Sequence, residues 1–271
     1  MTYNSLMDKF IIVANWKSHK TVFESIEFLQ KLKSVFPDLL LNNEAPRVNA
    51  RGIFSTLPNG AESAEAEISS HSSSNLSSRF SAKVDKEIVI LPQFIALPAC
   101  AAFAKENNLP ISFGAQTVSS FPDGAYTGEV SARQVGEFAS YVLLNHSERK
   151  KYFMENDTSL KEKFSQVVKN NLTPLICIQD ENSFIPEGAN YVVYEPPSAI
   201  STFGTGIPES REDVAKVFEK IKNISSAKLL YGGSVSDKNV NEYLGIPFLQ
   251  GFLVGGASLD PETFTNLIKA C

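Results

Sequence analysis

Apolar residues fall along this chain in short, nearly unbroken runs. FIIVANW (10–16), EIVILP (87–92), ISFGAQ (111–116), YVLLNH (141–146), TPLICIQ (173–179), YVVYE (191–195), AKLLYGG (227–233) and LQGFLVGG (249–256) are rich in β-branched and aromatic residues and do not alternate with polar ones. That pattern predicts strands covered on both faces, as in a parallel sheet. Stretches with helical periodicity lie between most of them. TVFESIEFLQKLKSVF (21–36) sets Val22, Ile26, Leu29 and Leu32 along one stripe. SLKEKFSQVVKN, SREDVAKVFEKIKN, SDKNVNEYL and DPETFTNLIKA behave similarly. Ser210, Ser236 and Asp260 stand where helix N-caps are expected, and Pro261 suits a first helical position, where its missing N–H costs no bond.

Strands alternating with helices give an α/β chain, either a parallel barrel or a doubly wound sheet. The length of 271 residues favours the barrel, although counting alone does not decide. Two connections break the rhythm. Only DENSFIPEGAN (180–190) separates the fifth and sixth strands, so the helix there is expected to be degenerate. Residues 37–86 separate the first helix from the second strand, where about two to six residues are usual. SSHSSSNLSSRFS (69–81) is poor in large apolar residues, so about 40 residues here read as a partly disordered insertion into one domain spanning 1–271. GIFSTL (52–57) within it suits a short strand or hairpin arm.

Composition narrows the function classes. A net charge of -5 and a pI near 5.4, with no basic stripe, argue against a nucleic-acid partner. Cys100, Cys177 and Cys271 are far apart and show no metal-ligand spacing, which points away from a disulfide scaffold or zinc site and toward a reducing cytoplasm. No apolar run approaches the roughly 20 residues needed to cross a bilayer, and no leader-like segment opens the chain. The expectation is a soluble cytoplasmic protein.

The strand ends carry unusual residues. They are Asn15-Trp16-Lys17 after the first, His146-Ser147-Glu148-Arg149 after the fourth and Glu195 after the sixth. The seventh ends in Tyr231-Gly232-Gly233-Ser234-Val235, and the eighth runs into GFLVGGASL (251–259). This ordered set, with GAQ (114–116) and GAYTGEVS (124–131), resembles the triosephosphate isomerase family over nearly the whole chain apart from 37–86 and 180–190. The resemblance implies a (β/α)8 TIM barrel that interconverts dihydroxyacetone phosphate and D-glyceraldehyde 3-phosphate, with no cofactor and no metal. A different phosphosugar isomerase on a similar barrel would share the phosphate glycines but not NWK, HSER and YEP together.

Alone, Glu195 reads as a solvated carboxylate, His146 as a satisfied core histidine and Lys17 as a surface lysine. A barrel gathers all strand C-termini on one face, which changes those readings. By resemblance, Glu195 is the general base, its pKa brought toward neutrality by burial as the site closes. His146 is a neutral imidazole that polarises the substrate carbonyl, and this family is itself the standing example of a histidine lowered by a helix N-terminus. Lys17 offers positive charge to the anionic substrate and to the enediolate oxygen, and Asn15 adds a hydrogen bond. Glu148 becomes a supporting or proton-relay carboxylate near Lys17. Ser234, Gly255 and Gly256 are the phosphate candidates, since glycine lets backbone N–H groups approach an oxyanion. GAYTGEVS resembles the loop that enters a neighbouring subunit, with Thr127 near the neighbour's lysine, so a homodimer is expected.

Two departures stand out. Asn145 occupies the position of the glycine that usually opens the histidine motif. The usual loop PVWAIGTG becomes Pro196 to Gly206, with Ser198 in place of tryptophan. GTG is kept only if Ser201-Thr202-Phe203 is an insertion, so either Ser201 or Gly204 meets the phosphate when the loop closes.

Overall fold

The computed structural model describes residues 9–35, 86–200 and 206–271. The Ser-rich stretch, its GIFSTL arm, Ser201 and Gly204 lie outside the described residues. Eight parallel strands close into a barrel in sequence order. They are β1 (Phe10–Asn15), β2 (Lys86–Leu91), β3 (Ile111–Ala115), β4 (Tyr141–Leu144), β5 (Thr173–Ile178), β6 (Tyr191–Tyr194), β7 (Lys228–Tyr231) and β8 (Leu249–Val254). β8 pairs back onto β1, with Ile11 opposite Gly251. A Cβ at Gly251 would lie 2.0 Å from the Ile11 carbonyl oxygen, so closure needs glycine there. The eight apolar runs thus form the eight strands, and the barrel is the outcome of the two sheets that counting allowed.

Helices pack outside. They are α1 (Val22–Val35), α2 (Leu97–Glu106), α3 (Ala132–Val135), α4 (Ser147–Phe153), α5 (Asp157–Lys169), α6 (Arg211–Ile224), α7 (Val240–Tyr243) and α8 (Pro261–Ala270). Ser210 caps α6 by accepting from the Asp213 N–H, and Asp260 caps α8 by accepting from Thr263, with Pro261 at the first helical position. Two expectations change, and the degenerate helix expected after the fifth strand is reduced to no helix at all. Ser236 opens a turn, and α7 starts after Asn239 instead. In α1 the buried face is Ser25, Phe28, Leu29 and Leu32, while Val22 is exposed and Ile26 only half-buried. Phe28 sets that rotation by packing edge-on to Trp16, ring centroids 4.8 Å apart. No helical turn forms in 180–190, where Pro186 and Gly188 interrupt the chain and Ser183 folds back onto Asp180.

The strands have two faces and two cores. Ile11, Val13, Val89, Leu91, Leu143, Leu175, Cys177, Val193, Leu230 and Leu253 fill the barrel interior. Ile12, Ala14, Ile90, Leu144, Ile176, Val192, Leu229 and Phe252 belong to the larger core shared with the helices. Successive side chains alternate between these faces. Counting two onward from the last interior residue of a strand therefore reaches the next inward position. From Val13 that is Asn15, from Leu143 Asn145, from Val193 Glu195, from Leu230 Gly232 and from Leu253 Gly255. The fold's own periodicity carries the polar residues to the mouth.

Candidate active site

At the C-terminal mouth lies a cavity of about 410 Å³, lined among others by Asn15, Lys17, His146 and Glu195. Ser234, Gly255 and Gly256 line it as well. Glu195 is 2 % exposed. Its backbone N–H continues the β5–β6 ladder to the Ile178 carbonyl at 2.8 Å. One carboxylate oxygen lies 3.0 Å from His146 Nε2, and the other accepts the Ser147 N–H at 3.2 Å. The Cys177 thiol, held protonated by burial and by the carboxylate beside it, also bonds Glu195. Gly232 makes room for this side chain, since a Cβ there would lie 3.0 Å from the Glu195 Cγ.

His146 does not follow the inward parity, because it comes one residue after Asn145. Asn145 has φ 60°, the left-handed region that asparagine tolerates better than most side chains, and this twist turns the next residue over the mouth. The Asn145 amide also donates to the Cys177 carbonyl at 2.9 Å, tying the β4 end to the β5 end. Asparagine at the usual glycine position thus keeps the backbone shape and adds a tie. His146 is the N-cap of α4, and its Nδ1 accepts the Glu148 N–H at 3.3 Å. That bond requires a bare Nδ1 and places the neutral ring's hydrogen on Nε2, facing Glu195.

The electrostatics differ from the expectation of a lowered histidine and a raised glutamate. Burial pushes His146 down, but the Glu195 and Glu148 carboxylates push it up more, and its pKa ends above the ordinary value. Burial pushes Glu195 up, yet His146, Cys177 and the Ser147 N–H hold it below the ordinary carboxylate value. The cause is the direct contact between the two groups, which strand-end motifs cannot reveal. The backbone bond to Nδ1 opposes full protonation of the ring, since two donors would then face each other.

Lys17 also sits at positive φ, 50°, with its N–H bonded to Asn15 Oδ1 at 3.0 Å. Its ammonium bonds Glu148 Oε1 at 2.7 Å, while Glu148 Oε2 lies 3.8 Å from His146 Nδ1. Glu148 therefore bridges the lysine and the histidine. Gln116, the last residue of GAQ, donates to the carbonyls of Lys17 (2.7 Å) and Leu91 (2.9 Å), fixing the loop after β1. Ser234 Oγ donates to the Ala199 carbonyl at 2.6 Å, joining the β7 end to the 3₁₀ turn Pro197–Ala199 that follows Glu195. Thr127 stands apart from this group, in a wholly exposed stretch, 121–129. Reading motifs alone missed Cys177, Gln116 and Gly232. Strand parity points to Cys177 and Gly232, and Gln116 lay inside a quoted motif.

Residues 61–271 match the family model described as triosephosphate isomerase. The triosephosphate isomerase of Mesomycoplasma hyorhinis is 31% identical over 285 residues, covering 97% of this chain and 98% of that protein. That of Thermus thermophilus is 28% identical, covering 97% and 99%. A crystal structure of triosephosphate isomerase from Bartonella henselae superposes with a TM-score of 0.68 at 22% identity over 97% of this chain and 98% of that one, a likeness of fold. The chain is a member of the triosephosphate isomerase family.

Proposed function

We propose that this chain interconverts dihydroxyacetone phosphate and D-glyceraldehyde 3-phosphate in glycolysis and gluconeogenesis, with Glu195 moving the proton. The observation that carries the residue assignment is the buried Glu195–His146 contact at 3.0 Å, in a cavity that Lys17 and Asn15 also line. Glu195 takes a proton from the carbon beside the carbonyl. The His146 Nε2–H, donated to Glu195 in this arrangement, is the donor that the carbonyl oxygen needs, so substrate exchanges one partner for another. The enediolate oxygen gains its charge near the Lys17 ammonium and the Asn15 amide, where burial strengthens their attraction. His146 Nε2 gives its proton to that oxygen and takes one from the hydroxyl beside it, and Glu195 then returns its own proton to the neighbouring carbon. Glu148 holds Lys17 in place through their 2.7 Å ion pair, which is the supporting role of the two expected for it. Ser234, Gly255 and Gly256 receive the phosphate.

The active form we propose is a homodimer working in the cytoplasm. Support for the dimer is the exposed 121–129 stretch around Thr127, where Phe121 and Tyr126 stack at 4.4 Å and are 48% and 42% exposed. Three free cysteines agree with a reducing compartment. Among the described residues, no helix is long and apolar enough to cross a membrane.

A coupled assay on D-glyceraldehyde 3-phosphate tests the chemistry. Glu195→Gln keeps shape and burial but cannot take a proton, and kcat should fall by about 10³-fold or more. Unchanged turnover in the folded variant would remove Glu195 from the mechanism.

A further inference from the structure

Trp16 and Lys20 flank Lys17 in the loop after β1, and neither lines the cavity. Both reach the same place. Trp16 Nε1 donates to the Ser258 carbonyl at 3.1 Å, and Lys20 Nζ donates to the Leu259 carbonyl at 2.8 Å. The Lys20 ammonium also lies 5.0 Å from the Phe28 ring and 5.5 Å from the Trp16 ring, both buried. The Ser258 carbonyl belongs to the 3₁₀ turn Gly256–Ser258, and the Leu259 carbonyl immediately follows it.

That turn has an internal lock. The Ser258 N–H (2.9 Å) and Oγ (2.7 Å) both donate to the Gly255 carbonyl, and the Leu259 N–H donates to the Gly256 carbonyl at 3.1 Å. A peptide unit is planar, and its C=O and N–H point opposite ways. Holding the Gly255 carbonyl toward Ser258 therefore turns the Gly256 N–H to the other side. Gly255, Gly256 and Ala257 line the cavity, and a Cβ at Gly255 would lie 3.8 Å from Lys17 Cε. The lysine that meets the substrate and the backbone that meets its phosphate are thus held by one loop.

We propose that Lys20 is a positioning residue which, together with Trp16, fixes the Gly255–Leu259 turn relative to Lys17 and so sets the strength of phosphate binding. The inference rests on the reading of Gly255 and Gly256 as the phosphate site. Lys20 acts only through the turn, so its loss weakens the hold on the phosphate and leaves the reaction at the carbon unaltered.

The test compares Lys20→Met, which keeps the apolar stem but lacks the donor, with Lys20→Arg, which restores one. Steady-state kinetics are measured on D-glyceraldehyde 3-phosphate and on D-glyceraldehyde, which has no phosphate. For Lys20→Met, KM for the phosphorylated substrate should rise about tenfold, one charge-assisted hydrogen bond's worth. The kcat/KM for D-glyceraldehyde should stay within error, and Lys20→Arg should recover most of the loss. Equal losses on both substrates, or no loss on either, would overturn the proposal. If Lys20→Met does not fold, Ser258→Ala, which frees one of the two bonds on the Gly255 carbonyl, must show the same phosphate-selective loss or the proposal fails. Calorimetric titration with inorganic phosphate separates this inference from the isomerase reading. Weaker phosphate binding by Lys20→Met supports the positioning role even if the wild-type chain turns over no triose phosphate, and equal binding overturns it.

Discussion

Asn145 shows how one residue can control another. Its φ of 60° is what brings His146 over the barrel mouth, and its amide ties β4 to the Cys177 carbonyl. A β-carbon with no local hydrogen-bonding group makes that conformation costlier. Asn145→Ala should therefore lower stability by about 1–2 kcal/mol and depress kcat as His146 is re-aimed. Asn145→Gly keeps the backbone freedom and loses only the tie, so its kcat should stay within a few-fold of wild type. Denaturant melts with kinetics on both variants check this, and an alanine variant as active as the glycine one would remove the backbone from the account. The identities at the mouth were legible in the sequence because Asn15, Lys17, His146 and Glu195 sit in distinctive short motifs. Their mutual electrostatics were not. The fall of Glu195 and the rise of His146 follow from a contact between residues 49 apart in the chain, 195 − 146, which a strand-end motif does not encode.

At the level of elements, α4 and α5 are joined by a buried charge cluster. Glu155, in the link between them, pairs with Arg149 of α4 and Lys163 of α5, and Lys163 also bonds Thr117 at 2.9 Å. Burial pushes Glu155 up, but the two cations hold it below its ordinary value of 4.5. Burial keeps Lys163 below its own ordinary value despite the carboxylate beside it. The cluster's net worth is thus small, whereas removing one member strands the others. Glu155→Gln should lose about 3 kcal/mol near neutral pH. Because the folded-state pKa of Glu155 is depressed, its contribution is present above pH 4.5 and fades as pH falls through the folded value. The gap between wild type and variant should close on acidification. Urea melts across that range test this, and a gap that stays constant with pH would rule out the ionised carboxylate as its source. Periodicity showed where α5 runs but not which face it buries charge on, just as it placed α1 correctly while Phe28, not Val22, set its rotation. Apolar spacing fixes a helix; the neighbour that its largest side chain finds fixes the face.

For the molecule as a whole, the outward-standing 121–129 stretch should be covered by a second copy. Light scattering after size-exclusion chromatography should give twice the chain mass of 29.7 kDa, and Tyr126→Asp should shift it toward the monomer with loss of activity. A fully active wild-type monomer would exclude the dimer as the working form. Eight buried runs and the length left a barrel and a doubly wound sheet open, and the strand-end motifs implied the barrel; spacing did not reveal that closure depends on Gly251 meeting the Ile11 backbone. That seam has a consequence for the chain as it is made. β1 waits for a partner that begins at Leu249, near the other end of the sequence. Until β8 leaves the ribosome, the growing sheet carries two raw edges, β1 and β7, each able to pair with a neighbouring nascent chain. The last strand therefore both completes the fold and ends the period in which the molecule is most exposed to misassembly.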